Sequence, residues 1–212
     1  MIKLDTAIGS NFCYAPWTNI HINPQGSYKV CCAAREDLGD LRQIPITEIL
    51  KSEKLLDLKQ NILGNNPHKN CETCINHERR SSSSERGWYK DIAENKEIEL
   101  NSIYDQHIQN LDIRWSNTCN LSCVYCGPDA SSQWAALKHM PSERIDYSDT
   151  LPGIIEFINA NKKTLKNLGM LGGEPLLQKE NLTLLDAIDD DVNINLITNL
   201  SVPLESNIIF HN

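Results

Sequence analysis

An α/β fold is predicted by three features of the sequence. From Leu111 onward, short apolar runs alternate with helical patterns. Strands are expected at about 111–115, 166–171 and 193–197. Helices are expected from Ser131 or Ser132 through Trp134, Ala135 and Leu137, and over about 152–162 and 179–189. Strands that alternate with helices imply a parallel sheet with right-handed crossovers. Second, three unusual stretches each close one of the apolar runs: Cys119–Cys126, Gly172-Gly173-Glu174 and Thr198-Asn199. Sites in such folds form at the carboxyl ends of the strands. Third, the residues ahead of Leu111 lack this alternation and read as a smaller α+β region.

That first region carries little pattern over residues 1–12. Trp17–Ile22 and Tyr28–Cys32 then flank Asn23-Pro-Gln-Gly26, short runs around a Pro/Gly turn that predict a β-hairpin. A helix follows. Ser52 is placed to cap it, Leu55, Leu56, Ile62 and Leu63 share one face, and Gly64 suits its end. Residues 65–74 read as a loop ending in Cys71-x2-Cys74. Residues 75–86 are charged and then serine-rich, as in a linker or an ordering loop, with Glu78, Arg79 and Arg80 on a solvated face. Residues 88–110 read as a weak connecting helix.

Composition narrows the function classes. The chain has 212 residues, 40% of them hydrophobic, which is enough for a real core in one or two domains. A formal net charge of −8 disfavours broad contact with nucleic acid phosphates, and with it tRNA modification. No run approaches the roughly 18 apolar residues of a membrane span. The start lacks the long apolar stretch of a signal peptide. Eight cysteines without a secretion signal point to metal or redox chemistry in a reducing cytoplasm rather than to disulfides.

The cysteines carry the chemistry. Cys119, Cys123 and Cys126 are spaced C-x3-C-x2-C, with Tyr125 before the last thiol. So short a loop can hold three corners of an inorganic cluster and leave one iron open. Zinc is the competing occupant, but it usually takes four protein ligands in a closed site. The spacing resembles the signature of the radical S-adenosylmethionine superfamily. Gly172-Gly173-Glu174 after the apolar run 168–171 resembles that superfamily's GGE motif, and Thr198-Asn199 stands where relatives place polar cofactor contacts. The resemblance covers about 111–199. It implies a 4Fe–4S cluster with an open iron, held by Cys119, Cys123 and Cys126 and chelated by S-adenosylmethionine. Reductive cleavage would then yield a 5′-deoxyadenosyl radical that abstracts hydrogen from a substrate. In that reading Glu174 meets the methionine ammonium, and Gly172 and Gly173 let the backbone approach the cofactor. Tyr125 borders the adenine, and Thr198 and Asn199 bind cofactor or substrate. Gly127-Pro128 ends the cluster loop. Trp115 and Trp134 are expected in the core.

Cys13, Gly26 and Cys31 resemble the C-x(9–15)-G-x4-C opening of SPASM and twitch domains, and Cys71-x2-Cys74 completes four ligands. This resemblance spans about 13–77 and implies an auxiliary 4Fe–4S cluster held by Cys13, Cys31, Cys71 and Cys74, with four-thiolate zinc as the alternative. Of the adjacent Cys31 and Cys32, which point to opposite faces in a strand, Cys31 is the favoured ligand. His77 is expected at the surface or outside the ligand set, and His21 to pack or hydrogen-bond.

The division expected is an auxiliary cluster domain over 1–87, a connecting helix or linker over 88–110, and the first part of a radical S-adenosylmethionine (β/α)6 barrel over 111–212. A β/α unit needs about 30 residues or more, so 111–212 holds about three of six. The run Asn207–Phe210 is expected to begin a fourth strand. The sequence therefore reads as a fragment, as half of a split enzyme, or as a chain that closes its sheet by self-association or with a complementing chain. The partners implied by the resemblance are a peptide or protein substrate and an electron donor such as flavodoxin or ferredoxin. The competing function is a non-catalytic iron–sulfur or zinc module acting with a partner.

Overall fold

A computed structural model describes residues 11–81, 83–94, 102–140, 145–204 and 207. In chain order the elements are α1 (Ala15–Thr18), β1 (Asn19–Ile22), β2 (Ser27–Lys29), β3 (Gly39–Asp40), α2 (Ile46–Ile49), α3 (Glu53–Leu63), α4 (Glu72–Glu78), α5 (Glu85–Glu94), β4 (Asn110–Arg114), α6 (Ser132–Leu137), α7 (Leu151–Asn161), β5 (Asn167–Leu171), α8 (Glu180–Ala187) and β6 (Asn193–Leu196). The six strands form one mixed sheet in the order β3-β2-β1-β4-β5-β6. β1 pairs antiparallel with β2, and β2 with β3. β1 pairs parallel with β4, β4 with β5, and β5 with β6. The expected hairpin is therefore present with shorter strands, since Trp17 and Thr18 lie on α1 and β2 ends at Lys29, and it extends the parallel sheet directly through β1.

Local chemistry accounts for the elements. The hairpin turns on Gly26 at φ +76°, a region that disfavours any side chain. The Asn23 side chain accepts from the Gln25 and Ser27 amides and closes the turn. Ser52 caps α3 by accepting from the Leu55 amide, and Gly64 ends it. Ser131 caps α6 by accepting from the Trp134 amide. The stretch expected as a loop to Cys74 is instead helical at its end: Cys71 closes a short 3-10 turn and Cys74 lies on α4. The connecting helix begins earlier than expected, at Glu85. Residues 208–210 of the expected fourth strand lie outside the described residues.

The sheet has two unlike faces. Ile20, Ile22, Leu111, Ile113, Leu168 and Met170 alternate onto one side and share a continuous core with Ile154, Phe157 and Ile158 of α7 and Leu184 of α8. The opposite side is polar. Asn19, Asn110, Asn167 and Asn193 stand at one register across four parallel strands. The Asn167 amide donates to Asn110 at 2.6 Å, and the Asn193 amide donates to Asn167 at 3.3 Å. Such asparagine ladders pin register, because a one-residue slip breaks every rung. Two residues further along, His21, Asp112, Gly169 and Asn195 form a second row. A parallel sheet buried on both faces reads as continuous apolar sequence; this one alternates, with one apolar and one polar face. Among the described residues no helix is long and apolar enough to cross a membrane.

Candidate metal centres

The loop after β4 carries Cys119, Cys123 and Cys126. Its base is clamped by the start of α6: the Cys119 amide donates to Ser132 Oγ, and Ser132 Oγ donates to the Cys119 carbonyl, both at 3.1 Å. Ser131 Oγ donates to the Leu121 carbonyl, and Trp134 Nε1 donates to the Cys123 carbonyl at 2.7 Å. Trp134 is thus half-buried against the loop rather than in the core as expected, because α6 buries no residue fully. Trp115 is in the core as expected. Cys119 is buried, whereas the far side of the loop is open, with Val124 93% and Tyr125 85% exposed. Burial, with the neighbouring Cys123 and Cys119 charges, pushes the Cys126 thiol up.

The turn after β5 sits on the base of that loop. The Gly173 amide donates to the Ser116 carbonyl and the Glu174 amide to the Thr118 carbonyl. A Cβ on Gly173 would lie 2.2 Å from the Thr118 carbonyl oxygen, so only glycine allows this seat. Glu174 is fully buried. Its carboxylate accepts from the Leu176 amide at 3.1 Å, from Thr198 Oγ1 at 2.6 Å and from the Asn199 amide at 2.8 Å. The Asn199 side-chain amide in turn reaches Cys119 Sγ at 3.7 Å and Asn120 Oδ1 at 3.1 Å. The Glu174 carboxylate thus ties the segments after β5 and β6 together, and the Glu174 amide and the Asn199 side chain tie both to the loop after β4.

A second set of thiols lies in the N-terminal region. Cys13, Cys31, Cys71 and Cys74 line one enclosed pocket of about 20 Å³, together with Arg86 and Tyr89. Cys13, Cys31 and Cys74 are buried. Burial pushes the Cys13 thiol up to about 12 and the Cys71 thiol up to about 11, while the Arg86 charge opposes both shifts. Arg86 is held from behind by Glu78: Nε donates to Oε1 at 3.0 Å and Nη2 donates to Oε2. Its Nη1 is buried with no hydrogen-bond partner. Cys32 does not line this pocket; it turns to a neighbouring polar cavity. His77 is exposed on α4.

Residues 13–75 match a family model, SPASM, described as an iron–sulfur cluster-binding domain. The chain is also similar to a 7-carboxy-7-deazaguanine synthase of Clostridium acetobutylicum, at 36% identity over 97 residues, covering 44% of this chain and 39% of that protein. A probable GTP 3′,8-cyclase of Methanocaldococcus jannaschii is 33% identical over 101 residues, covering 45% of this chain and 30% of that protein. These similarities support a radical S-adenosylmethionine superfamily protein with a SPASM-like domain. The chain spans well under half the length of these relatives. No solved structure matches it at a significant level.

For a superfamily protein the donor sets have suitable chemistry: four thiols around an enclosed pocket, and three on a loop with an open side. Among the described residues no three His, Cys, Asp or Glu side chains are arranged to hold a metal ion as they stand. The four-thiol pocket is also small, so a cluster must spread its ligands, and Cys13, Cys31 and Cys71 must lose the protons that burial favours. Several residues around the sites escaped the sequence reading. Arg86, expected only as part of a linker or an ordering loop, lines the pocket of the thiols. Asn181 is fully buried and links Trp115 Nε1 (3.0 Å) to the Pro175 carbonyl (2.9 Å), fixing the turn after Glu174. The polar rows of the sheet were also missed. Their signal was an asparagine opening each of four strands, with polar or small residues at the next alternate position.

Proposed function

We propose that this chain holds a 4Fe–4S cluster through Cys119, Cys123 and Cys126, binds S-adenosylmethionine beside it, and carries an auxiliary cluster on Cys13, Cys31, Cys71 and Cys74. Bound together, cluster and cofactor would supply, with one electron from an external donor, reductive cleavage of the sulfonium C–S bond to methionine and a 5′-deoxyadenosyl radical able to take hydrogen from a substrate. The chain's own residues bind and orient. Three ligands on an open loop leave room for the cofactor. An ionised carboxylate offers about four acceptor sites; Glu174 has three protein donors, so one is left for the methionine ammonium. Thr198 and Asn199 face the same point, and the exposed Tyr125 borders the adenine. Four buried thiols leave an auxiliary cluster no open iron, which suits electron relay or structure.

The observation that carries this reading is the convergence on Glu174. Thr198 and Asn199, after β6, donate to the buried Glu174 carboxylate after β5, and the Asn199 side chain reaches Cys119 Sγ after β4, so residues of three separate motifs form one hydrogen-bonded chain. By analogy with enzymes that carry such auxiliary domains, the substrate is a peptide or protein. The sheet belongs to a partial barrel. Among the described residues β6 is its unpaired edge, with Ile194 and Ile197 exposed; a further strand, from this chain or a complementing one, would cover it. The test is anaerobic reconstitution with iron and sulfide, reduction, addition of S-adenosylmethionine and chromatography for 5′-deoxyadenosine. Filled clusters without that product would overturn the reading.

A further inference from the structure

The polar face of the sheet holds a cavity of about 540 Å³, within the range of small-ligand sites. It lies between the two thiol sets. Cys32, next to Cys31, lines one side, and Arg114, whose charge is felt at Cys126, lines the other. Its wall sets charged side chains among apolar ones. Asp112 and Arg114 project from the same face of β4, roughly 6–7 Å apart along the strand, yet they form no ion pair with each other. Asp112 leans away across β5: a Cβ on Gly169 would lie 2.2 Å from its Oδ1, so the glycine makes the space that this carboxylate occupies. Its nearest imidazole is that of His21, with Nδ1 at 3.7 Å. His21 is only 4% exposed, and its Nδ1 has no hydrogen-bond partner. The Arg114 Nε is buried and likewise unpartnered. Glu85 of α5 adds a second carboxylate on the cavity wall, and Trp88 offers a half-exposed indole.

Opposite charges held apart in one cavity, each short of partners, are a receptor for a ligand that brings both complements. We propose that this cavity takes an amphoteric group, its ammonium facing Asp112 and Glu85 and its carboxylate facing Arg114. Arginine presents a planar fork that matches a carboxylate in two parallel hydrogen bonds. A phosphate fits worse: it would bring two negative charges to one cation beside two carboxylates. Trp88 can cover the ligand's apolar part or its cation. This inference rests on the reading of the site as catalytic and narrows its substrate class. Two sources supply the chemistry, a free α-amino acid and a peptide with one basic and one acidic side chain.

The test uses the reconstituted chain without S-adenosylmethionine and measures binding by titration calorimetry. One arm is the set of free L-α-amino acids, each beside its N-acetyl amide. The other arm is short peptides capped at both ends, with lysine and glutamate at varied separations, beside glutamine-substituted controls. Binding in either arm is expected, with at least a tenfold loss when either charge is removed from the ligand. Asp112→Asn should weaken binding through the ammonium, and Arg114→Gln through the carboxylate, with thermal unfolding run alongside to show that both variants fold. No binding in either arm, or binding indifferent to the ligand's charges or to both substitutions, would overturn the proposal. The 5′-deoxyadenosine assay of the same preparation is independent. Cofactor cleavage without amphoteric binding sinks this inference alone, and the absence of cleavage sinks the catalytic reading.

Discussion

The two thiol sets of this chain differ in everything except their element. The N-terminal four come from four separate places, the loop before α1, the end of a hairpin, a 3-10 turn and α4, and they face one another across a closed pocket. The later three come from a single eight-residue loop whose outer side is solvent. Distance along the chain explains the contrast. Thiols spread over about sixty residues can surround a ligand on all sides, but only when the region between them has folded. Thiols within one loop cannot surround anything, so they leave a side free. A closed set suits holding and relaying; an open set suits binding a second molecule.

The largest effect expected from this contrast is on metal and activity. Two filled sets should hold about eight irons. Cys123→Ala should leave about four and abolish cofactor cleavage, whereas Cys71→Ala should leave the open cluster in place. Iron and zinc analysis after anaerobic reconstitution checks both. A zinc-rich protein lacking iron would turn the closed set into a structural zinc site.

A smaller effect is expected at Glu174. Glu174→Gln keeps the size of the side chain and removes its charge. Cofactor binding should weaken by roughly 1–3 kcal/mol, the worth of a hydrogen bond to a charged group, with iron content unchanged. Because Thr198 and Asn199 also donate to this carboxylate, the same variant should raise hydrogen exchange around residues 198–200. Unchanged affinity would mean that the carboxylate serves the fold alone.

Arg86 should distinguish the closed set from the open one more subtly. A cation beside a thiolate-ligated cluster favours its reduced, more negative form. Arg86→Gln should therefore lower the reduction potential of the N-terminal cluster and leave the other unmoved. Potentiometric titration followed by electron paramagnetic resonance on the parent, on Arg86→Gln and on the Cys123→Ala background reads this directly. A shift in neither cluster would relegate Arg86 to its pairing with Glu78.

The smallest effect concerns burial itself. The N-terminal region also buries a cation: Lys59 Nζ donates to the Ile103 and Asp105 carbonyls, both at 3.1 Å, and lies 5.3 Å from the Trp17 ring. Desolvation holds its ammonium down to about 8, with Asp105 opposing, against a usual 10.5. Between those two values the unfolded chain binds the extra proton and the folded one does not, so stability rises with pH. Below pH 8 both states are protonated and the cost is constant. The stability of the parent relative to Lys59→Met should therefore rise from pH 8 to 10. Denaturant melts at several pH values give the difference, and a flat one would place the ammonium in water.

Most of the local structure was legible in the sequence because its causes are local. The caps Ser52 and Ser131, the turn at Gly26 and the apolar runs that became β4, β5 and β6 each depend on residues within a few positions. The cysteine spacings were legible for the same reason. The α4 helix was missed because its residues, Glu72–Glu78, are polar and short of periodic apolar positions; it is held in place by buried Cys74 rather than by an apolar stripe. Trp134 was misplaced because an indole reads as core until its Nε1 is seen to need the Cys123 carbonyl.

By itself, then, the sequence determined the three parallel strands from Leu111 onward and the hairpin, but not the short β3, together with which thiols belong to a short loop and where glycine must stand. Tertiary structure alone decided the rest. It joined the hairpin to the parallel sheet through β1 and β4, turned Cys31 and Cys32 to different cavities and set Arg86 behind the thiols. It also laid four asparagines in one row and gathered three motifs around Glu174. The reason is physical. Register across strands, and the direction of a side chain in a cavity, are settled by partners tens of residues away, and no local preference encodes which partner will arrive.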